Sequence, residues 1–455
     1  MTTLRTPSEP EAIDAVRSDG GLVRLRPARA GDRAELTKLF ERASQRSLYL
    51  RFFSLSREVA VEYVDRLLAR GDGSRHAVVA TVLGEIVGVA EYQRRTGADA
   101  TAEFAFLVDD DRHGQGIGTL LVEYLAQLAR REGIARFEAD VLVENATALK
   151  LLAESGLRLH TDIDAGTVHA RIDLEPAEAT ISAITDREQA ADALSLRFLL
   201  APHSIAVVGA SNRPGAVGHE VLRNILDGAF TGQVFAVNPN YQYVQGVQCV
   251  PTPEKLPVAA DLAIVAVPAD RVADVVRGCG ERGVRGLLLL TAGFSETGAD
   301  GRDRQGEITA LAHRYGMRLI GPNCLGVLNT DPAVRLNATF AAMPMRPGGL
   351  GLVSQSGALG IAVVGAAARC GLGIAQFVSI GNKADVSGND LLLAWEHDPS
   401  VSVIALYLES FGNPRRFAHI ARRVARQKAI IAIKSGRSAA GAKAGQSHTA
   451  AAASS

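Results

Sequence analysis

The chain has 455 residues, and its 49 Lys+Arg balance its 49 Asp+Glu, so no global basic field speaks for a nucleic-acid partner or an anionic membrane surface. With 47% hydrophobic and 22% charged residues it has the composition of a globular protein, and its length suits two to four domains. No apolar stretch has the length of a membrane span, since the closest approach, near 350–367, is broken by Ser354, Gln355 and Ser356. The four cysteines (Cys249, Cys279, Cys324, Cys370) lie far apart without C-x-x-C spacing, which fits a reducing, cytoplasmic setting and offers no metal site.

Residues 1–20 are polar and contain acids, so they read as a disordered lead-in and not as a signal peptide. Residues 21–175 open with a strand-like Leu22–Leu25 and close with an alternating Val168–Leu174, mixing antiparallel-type strands with a few helices. Residues 176–195, rich in Ala, Glu and Asp, read as a connector or short helix. From 196 onward the strands become short, continuously apolar runs, each followed by a helical pattern: Ile205–Val208, Val234–Val237, Leu262–Val267, Leu287–Leu290 and Leu319–Ile320. Buried parallel strands joined by crossover helices have this signature. A second set follows Pro347, at Gly351–Val353, Ile374–Val378, Val403–Leu408 and Ala429–Ile433, with Leu336–Pro347 as the join. The last 20 residues are mostly Gly, Ala and Ser and cannot build a core. The expected fold class is α/β multidomain, with an α+β domain at 21–175 and two α/β domains at 196–335 and 336–455.

The sharpest local signal is Thr101–Gly118. Ala102, Phe104, Phe106 and Val108 alternate with Glu103, Ala105 and Leu107, as on a strand with one apolar face. That strand runs into Gly114-Gln115-Gly116-Ile117-Gly118 and then a helix with Leu121, Leu125 and Leu128 on one stripe. Glycines let main-chain N–H groups approach an anion, and a helix N-terminus adds positive potential, so the geometry suits a pyrophosphate.

On these residues the first domain resembles the GNAT acetyltransferases over about 150 residues. Gly116 and Gly118 stand where that family has the glycines of its acetyl-CoA pyrophosphate loop, which implies that Val108, His113, Gly114, Gln115, Gly116, Ile117, Gly118 and Thr119 line a CoA site. Asn145, after the strand Phe137–Val143, resembles the Asn that opens the helix flanking the CoA arm. His113 replaces the family's usual Gln or Arg, and Leu152 stands where many members carry the Tyr that protonates the leaving thiolate, which leaves the general acid unassigned. The resemblance implies that Glu103 is the base, acting through water on the acceptor amine; the alternative is an ordinary solvent-facing strand glutamate. Asp109, Asp110 and Asp111 read as a solvated turn, with attraction of a basic acceptor as the alternative, and His76, His160 and His169 as structural.

The second region places a strand, a glycine-rich turn and a helix at Ser204–Gly218, but its second strand ends in Asn238-Pro239 with no acid to hold a ribose, which argues against NAD. Gly209-Ala210-Ser211, Val237-Asn238-Pro239, Val267-Pro268, Gly321-Pro322-Asn323-Cys324, Ser354-Gln355-Ser356-Gly357, Gly381-Asn382 and Glu409 resemble the NDP-forming acyl-CoA synthetases, relatives of the succinyl-CoA synthetase α chain. The resemblance implies a Rossmann-like CoA-binding domain followed by a flavodoxin-like ligase domain. CoA contacts would come from Gly209, Ser211, Asn238, Pro239, Val267, Pro322, Asn323, Ser356 and Gly357. The tail KSGRSAAGAKAGQSHTAAAASS resembles the loop bearing the phosphorylated histidine, which implies His448 as phosphoryl carrier with Glu409 orienting it. Ala450 departs from the family's Gly, and the alternative for His448 is a mobile tail histidine.

Such synthetases also need an ATP-grasp domain, for which these 455 residues leave no room, so ATP or ADP enters only with that domain. Either that domain lies on another chain, or the chain is shortened, as a tail stopping in mid-loop favours, or the region only binds CoA. The fusion itself resembles the Pat-type protein lysine acetyltransferases. That resemblance implies acetyl-CoA as cofactor, a lysine of an acyl-CoA synthetase as acceptor, and a regulatory synthetase-like region, with homo-oligomerisation open. The competing readings are an NDP-forming acyl-CoA ligase and a non-catalytic CoA sensor.

Overall fold

The computed structural model describes residues 12–54, 57–69, 74–95, 100–175, 187, 189–411 and 414–435. The chain divides into two compact units, Met1–Ala191 and Asp192–Ser455. Among the described residues no helix is long and apolar enough to cross a membrane.

The first unit is built on eight strands, β1 (Ile13–Val16), β2 (Leu22–Pro27), β3 (Arg75–Val82), β4 (Glu85–Arg94), β5 (Thr101–Val108), β6 (Arg136–Leu142), β7 (Arg158–Asp164) and β8 (Thr167–Asp173), in the order β1-β2-β3-β4-β5-β6-β8-β7. Helices α1 (Arg33–Arg42), α2 (Gln45–Phe52), α3 (Arg57–Leu68), α4 (Ile117–Arg131) and α5 (Ala146–Glu154) accompany it. The expected apolar stripe of α4 packs Leu121, Leu125 and Leu128 with Ala102, Phe104 and Val108 of β5. The opposite face of the sheet, where Leu107 points, is covered by Leu36, Leu39, Phe40, Tyr63 and Val64. Strand alternation thus places the even residues of β5 under α4 and the odd ones on the other side.

One pairing matters for the site. β5 and β6 are the parallel pair, joined by the α4 crossover. They pair only at Thr101–Arg136, Ala102–Phe137 and Glu103–Glu138, whereas β5 stays paired to β4 along seven residues, from Ala102 to Val108. Beyond Glu103 the two parallel strands part, and one edge of Phe104–Val108 is left without a strand partner.

The lead-in expected over 1–20 is corrected in its described part. Ile13–Val16 is an edge strand, in register from Ile13–Leu25 to Val16–Leu22. An edge strand draws its main-chain hydrogen bonds from one neighbour and needs little apolar surface, so polarity alone could not exclude it. The connector expected over 176–195 is also corrected at its end. Asp192 already belongs to the second unit, where Ser195 is buried.

In the second unit, β9 (Ser204–Val208), β10 (Gln233–Val237), β11 (Tyr243–Val244), β12 (Val247–Val250), β13 (Leu262–Val265), β14 (Gly286–Leu289) and β15 (Arg318–Ile320) form a sheet in the order β11-β12-β10-β9-β13-β14-β15. All its pairs are parallel except β11–β12. The order reverses between β9 and β13, a topological switch point where such sheets open a crevice. A second sheet, β17-β16-β19-β18-β20-β21, is made of β16 (Gly326–Asn329), β17 (Leu336–Thr339), β18 (Pro347–Ser354), β19 (Ile374–Ser379), β20 (Val403–Leu408) and β21 (Ala429–Lys434). The boundary expected at 335/336 therefore moves upstream. β16 and β17 pair antiparallel with each other, β16 pairs with β19, and both belong to the second sheet. Strand partnership is a non-local choice that four-residue apolar runs do not announce.

Arg318 pins the second unit together. Its buried guanidinium donates to Asp385 Oδ2 at 3.0 Å and to Ser195 Oγ at 2.7 Å, with Asp390 at 3.6 Å and Asp192 at 3.8 Å. Burial raises the Asp385 carboxyl, but the charges and hydrogen bonds of Arg318 and His313 together outweigh it and bring the group down to about 2. Burial together with the Asp390 charge pushes Asp192 up to about 6, against the pull of Arg318 and Arg416.

Candidate functional site

The glycine loop closes the open end of β5. Gly114 and Gly116 adopt φ of +77° and +78°, conformations L side chains rarely adopt, and Gly116 is the N-cap of α4. No hydrogen bond within the described residues uses the N–H groups of Gly114, Gln115, Gly116, Ile117, Gly118 or Thr119. Consecutive donors without a protein acceptor at a helix N-terminus are what an anion cradle requires. A Cβ on Gly118 would lie 2.5 Å from Leu151 Cδ1, so this glycine admits α5 rather than a ligand, whereas a Cβ on Gly114 meets nothing. His113 Nε2 donates to the Val108 carbonyl at 3.1 Å, bracing the loop against the strand it leaves. Asn145 caps α5, its Oδ1 accepting from Ala148 N at 3.1 Å. Leu152 is buried, so no hydroxyl replaces the missing tyrosine there.

Glu103 stands where β5 and β6 part. It is exposed, and its ladder neighbours Gln93 and Glu138 share its face of the sheet. Glu138 is held by Arg95 at 2.5 Å. On that same face lies a group that sequence inspection missed. Glu91, opposite Ala105, is buried, accepts from Tyr63 and from Arg51 Nη2 at 3.1 Å, and has Arg75 at 3.6 Å. The Arg51 guanidinium also lies 4.9 Å from the centroids of both Phe52 and Tyr63. This cluster ties α2 and α3 to the sheet and sets one wall of the face that Glu103 occupies. The turn acids also acquire partners: Asp110 accepts from Ser44 N at 2.8 Å and from Ser47 Oγ at 2.5 Å, and Asp109 pairs with Arg42 at 3.0 Å. Burial pushes the Asp110 carboxyl up, yet the Ser47 and Ser44 hydrogen bonds hold it below the ordinary range. The Asp109–Asp111 turn is therefore largely a structural clasp.

The hairpin turn after β1 sits behind the loop. Ser18 N–H donates to the Gln115 carbonyl at 3.1 Å, Ser18 Oγ to the Gly114 carbonyl at 3.2 Å, and the Arg17 guanidinium to the Gln115 side chain.

In the second unit, Gly209 ends β9 at the switch point with φ +92°, and a Cβ there would lie 2.4 Å from the Ala266 carbonyl. Gly218 lets its helix, Val217–Asp227, seat on the strand end: its Cβ would fall 2.0 Å from the Gly209 carbonyl. Asn238 Nδ2 donates to the Ala210 carbonyl at 2.7 Å, and Ser211 Oγ accepts from Arg213 N at 3.0 Å, so both shape the loop. Pro239 is exposed beside them, and the Val267 carbonyl accepts from Thr291 Oγ1 at 2.7 Å. Glu220 accepts from the Gly215 N–H at 3.0 Å, placing a carboxylate inside the loop.

A second cluster gathers at the adjoining strand ends. Pro322 follows a cis bond, and Asn323, with φ +55°, donates to Asn382 Oδ1 at 3.3 Å. Asn382 donates to Glu296, which also accepts from the Gly293 and Phe294 N–H groups. Burial raises Glu296, but the Asn382 hydrogen bond and those N–H groups hold it below its ordinary range. Ser356 caps the helix Gly357–Arg369, and Gln355 Oε1 accepts from the N–H groups of Glu409 and Ser410 at 2.6 and 3.0 Å. The structure thus brings Asn323, Ser356, Gly357 and Glu409 to one set of neighbouring strand ends. His448 lies outside the described residues. No group of three or more His, Cys, Asp or Glu among the described residues could hold a metal ion.

Comparison with known proteins assigns a class to each part. Residues 42–157 match the acetyltransferase (GNAT) family, residues 203–330 the CoA binding domain, and residues 347–455 the succinyl-CoA ligase like flavodoxin domain. A GNAT domain, a CoA-binding domain and a succinyl-CoA-ligase-like flavodoxin domain are thus found in succession along the chain. It is 41% identical over 254 residues to the alpha subunit of the ADP-forming acetate–CoA ligase II of Pyrococcus furiosus, covering 56% of this chain and 55% of that protein. It is 31% identical over 159 residues to the acetyltransferase Pat of Mycolicibacterium smegmatis, covering 34% of this chain and 46% of that protein. The solved structure of the Ca. Korarchaeum cryptofilum dinucleotide-forming acetyl-coenzyme A synthetase 1, in complex with phosphate and ADP, superposes with a TM-score of 0.53 at 43% identity, over 56% of this chain and 55% of that one. The chain spans about half the length, or less, of these curated relatives.

Proposed function

We propose that this chain transfers an acetyl group from acetyl-CoA to the side-chain amine of a lysine on a protein acceptor, an acyl-CoA synthetase being the expected one. The observation that carries the proposal is the run of six N–H donors from Gly114 to Thr119, none with a protein acceptor among the described residues, on the strand that parts from its neighbour at Glu103. The cradle fits a diphosphate, and the free edge of Phe104–Val108 fits an extended amide-bearing arm. An alkylammonium with a pKa near 10.4 cannot attack until it loses a proton, and Glu103 takes that proton through a water. The amine nitrogen then bonds to the thioester carbonyl carbon as the C–S bond breaks, and the second proton shed by that nitrogen ends on the departing thiolate, so that the products are the amide and CoA thiol. A thiol with a pKa near 8.5 leaves with little protonic help, consistent with the apolar Leu152. The M. smegmatis relative named as an acetyltransferase supports this reading. In this proposal the second unit binds a CoA species and regulates the first.

One observation favours a second reading. The convergence of Asn323, Ser356 and Glu409, with the larger identity to an acetate–CoA ligase subunit, suits a ligase working through phospho-His448 once an ATP-grasp domain is supplied. Two measurements decide. With labelled acetyl-CoA and an acyl-CoA synthetase as acceptor, label must reach the acceptor and disappear with Glu103→Gln; label that persists removes Glu103 from the mechanism. Acid-labile, alkali-stable phosphate on His448, formed from ATP and an ATP-grasp partner, would establish the ligase. Acetyl-CoA binding without transfer to any amine would leave a sensor.

A further inference from the structure

We infer that the hairpin turn Arg17–Gly21 is part of the acetyl-CoA site, with Ser18 and Arg17 acting as positioning residues that aim the amides of the glycine loop at the diphosphate. The inference rests on the acetyltransferase reading above.

The geometry follows from the planar trans peptide. The carbonyl of one residue and the N–H of the next belong to one plane and point in opposite directions. Ser18 holds two consecutive carbonyls of the loop: its N–H takes that of Gln115 and its Oγ–H that of Gly114. Fixing these carbonyls toward the hairpin turns the N–H groups of Gln115 and Gly116 to the opposite side, where a ligand anion would lie. The loop alone does not enforce this arrangement, because its positive-φ glycines have the widest backbone freedom of any residue. Ser18 N, Cβ and Oγ all lie 3.5 Å from where a Gly116 Cβ would be, so the serine backs the cradle directly.

Arg17 reinforces the same contact. Its residue is 9% exposed, its guanidinium donates to the Gln115 side chain, and Asp19 lies 3.3 Å away. Gly21 makes room for it, since a Cβ there would fall 2.1 Å from Arg17 Nη2. The turn is itself closed by Arg17 N to Gly21 O at 2.7 Å, Gly20 N to Arg17 O at 2.9 Å and Gly21 N to Asp19 Oδ1 at 3.0 Å. A rigid turn, a serine with two loop carbonyls and an arginine on the loop side chain make a strut. Its function is to settle the conformational entropy of the cradle before the ligand arrives.

The test is steady-state acetyl transfer by the full chain, which reads the first-unit site even though the second unit also has a CoA-type fold. KM and kcat are measured for acetyl-CoA and for acetyl-pantetheine, a thioester without the diphosphate, in the wild type, Ser18→Ala, Arg17→Ala and the double variant. One lost hydrogen bond corresponds to roughly a three- to tenfold effect. The expected result is a KM for acetyl-CoA raised about threefold in Ser18→Ala and about tenfold or more in the double variant, with kcat and the acetyl-pantetheine KM unchanged. An unchanged acetyl-CoA KM in the double variant overturns the inference. So does a parallel loss on both thioesters, which marks the turn as merely structural. Failure of the wild type to transfer acetyl at all sinks the acetyltransferase reading and the inference with it, a result distinct from transfer with unaltered KM.

Discussion

The two units carry glycine loops that look alike in sequence and differ in what the glycines are for. At Gly114–Gly118 the positive-φ glycines leave six N–H groups without acceptors among the described residues, and only Gly118 is spent on packing, against Leu151. At Gly209–Gly218 more of the glycines are spent on packing. Gly209 and Gly218 are there because main-chain atoms of Ala266 and of Gly209 itself occupy the space a Cβ would need, and one loop amide, that of Gly215, is already taken by Glu220. The first loop is a cradle held open from behind; the second is a tight strand–helix junction with a resident carboxylate. The same residue type serves ligand access in one case and backbone contact in the other.

The sharpest way to break this comparison is Glu103→Gln. If the first loop feeds a catalytic cleft, kcat for acetyl transfer falls by about 10²–10⁴ with little change in the KM for acetyl-CoA, while CoA binding by the second unit is untouched, as titration calorimetry can show. Next come matched glycine substitutions. Gly218→Ala drives a Cβ to 2.0 Å from a carbonyl oxygen that cannot yield, so the calorimetric transition of the second unit drops by an amount equivalent to roughly 1–3 kcal/mol. Gly114→Ala meets no atom but must hold a φ of +77°, so it raises the acetyl-CoA KM, by about tenfold, and leaves the second unit's transition in place. Equal effects of the two substitutions on stability would erase the distinction.

The cluster around Arg318 sharpens the comparison by pH. Asp192 titrates at about 6 in the fold against about 3.9 unfolded, so between those values the folded state holds the extra proton. Its contribution therefore falls as pH rises from about 4 to about 6, on the order of 1–3 kcal/mol, and is level above that window. Asp192→Asn should flatten this slope in the second unit's melting midpoint relative to wild type and leave acetyl transfer by the first unit unaltered at pH 7. The smallest effect concerns Glu220. Replacing it with Gln removes a negative charge from the loop and should tighten CoA binding by the second unit about threefold, measured in a Gly114→Ala background that weakens the first site.

Much of this architecture was legible in the residues. The alternation of Ala102, Phe104 and Val108 announced β5, the stripe Leu121–Leu125–Leu128 announced α4, and short apolar runs located the buried parallel strands of the second unit within a residue or two, because burial on one or both faces imposes its own period on sequence. The exception is β18, which starts four residues before the expected Gly351. The strand, glycine turn and helix that carry the candidate base and cradle were readable for the same reason, since a strand entering a glycine loop is a local pattern. Ile13–Val16 was not legible as a strand, nor Ser18 as a brace, because an edge strand and a polar contact between residues 18 and 114 carry no local signature. The Glu91–Tyr63–Arg51 cluster stayed hidden as well, its members scattered over forty residues on α2, α3 and β4.

What the sequence determined by itself was therefore local: which segments become strands or helices, where main-chain amides can be bared to an anion, and which three domain types are joined. What only the tertiary structure decided was pairing and partnership: that β5 and β6 part at Glu103, that β16 and β17 belong with the later sheet, and that main chain crowds Gly209 and Gly218 while nothing crowds Gly114. The physical reason is that periodicity and backbone freedom act between near neighbours along the chain, whereas register, steric exclusion and the satisfaction of buried polar groups depend on residues the fold brings together from far apart.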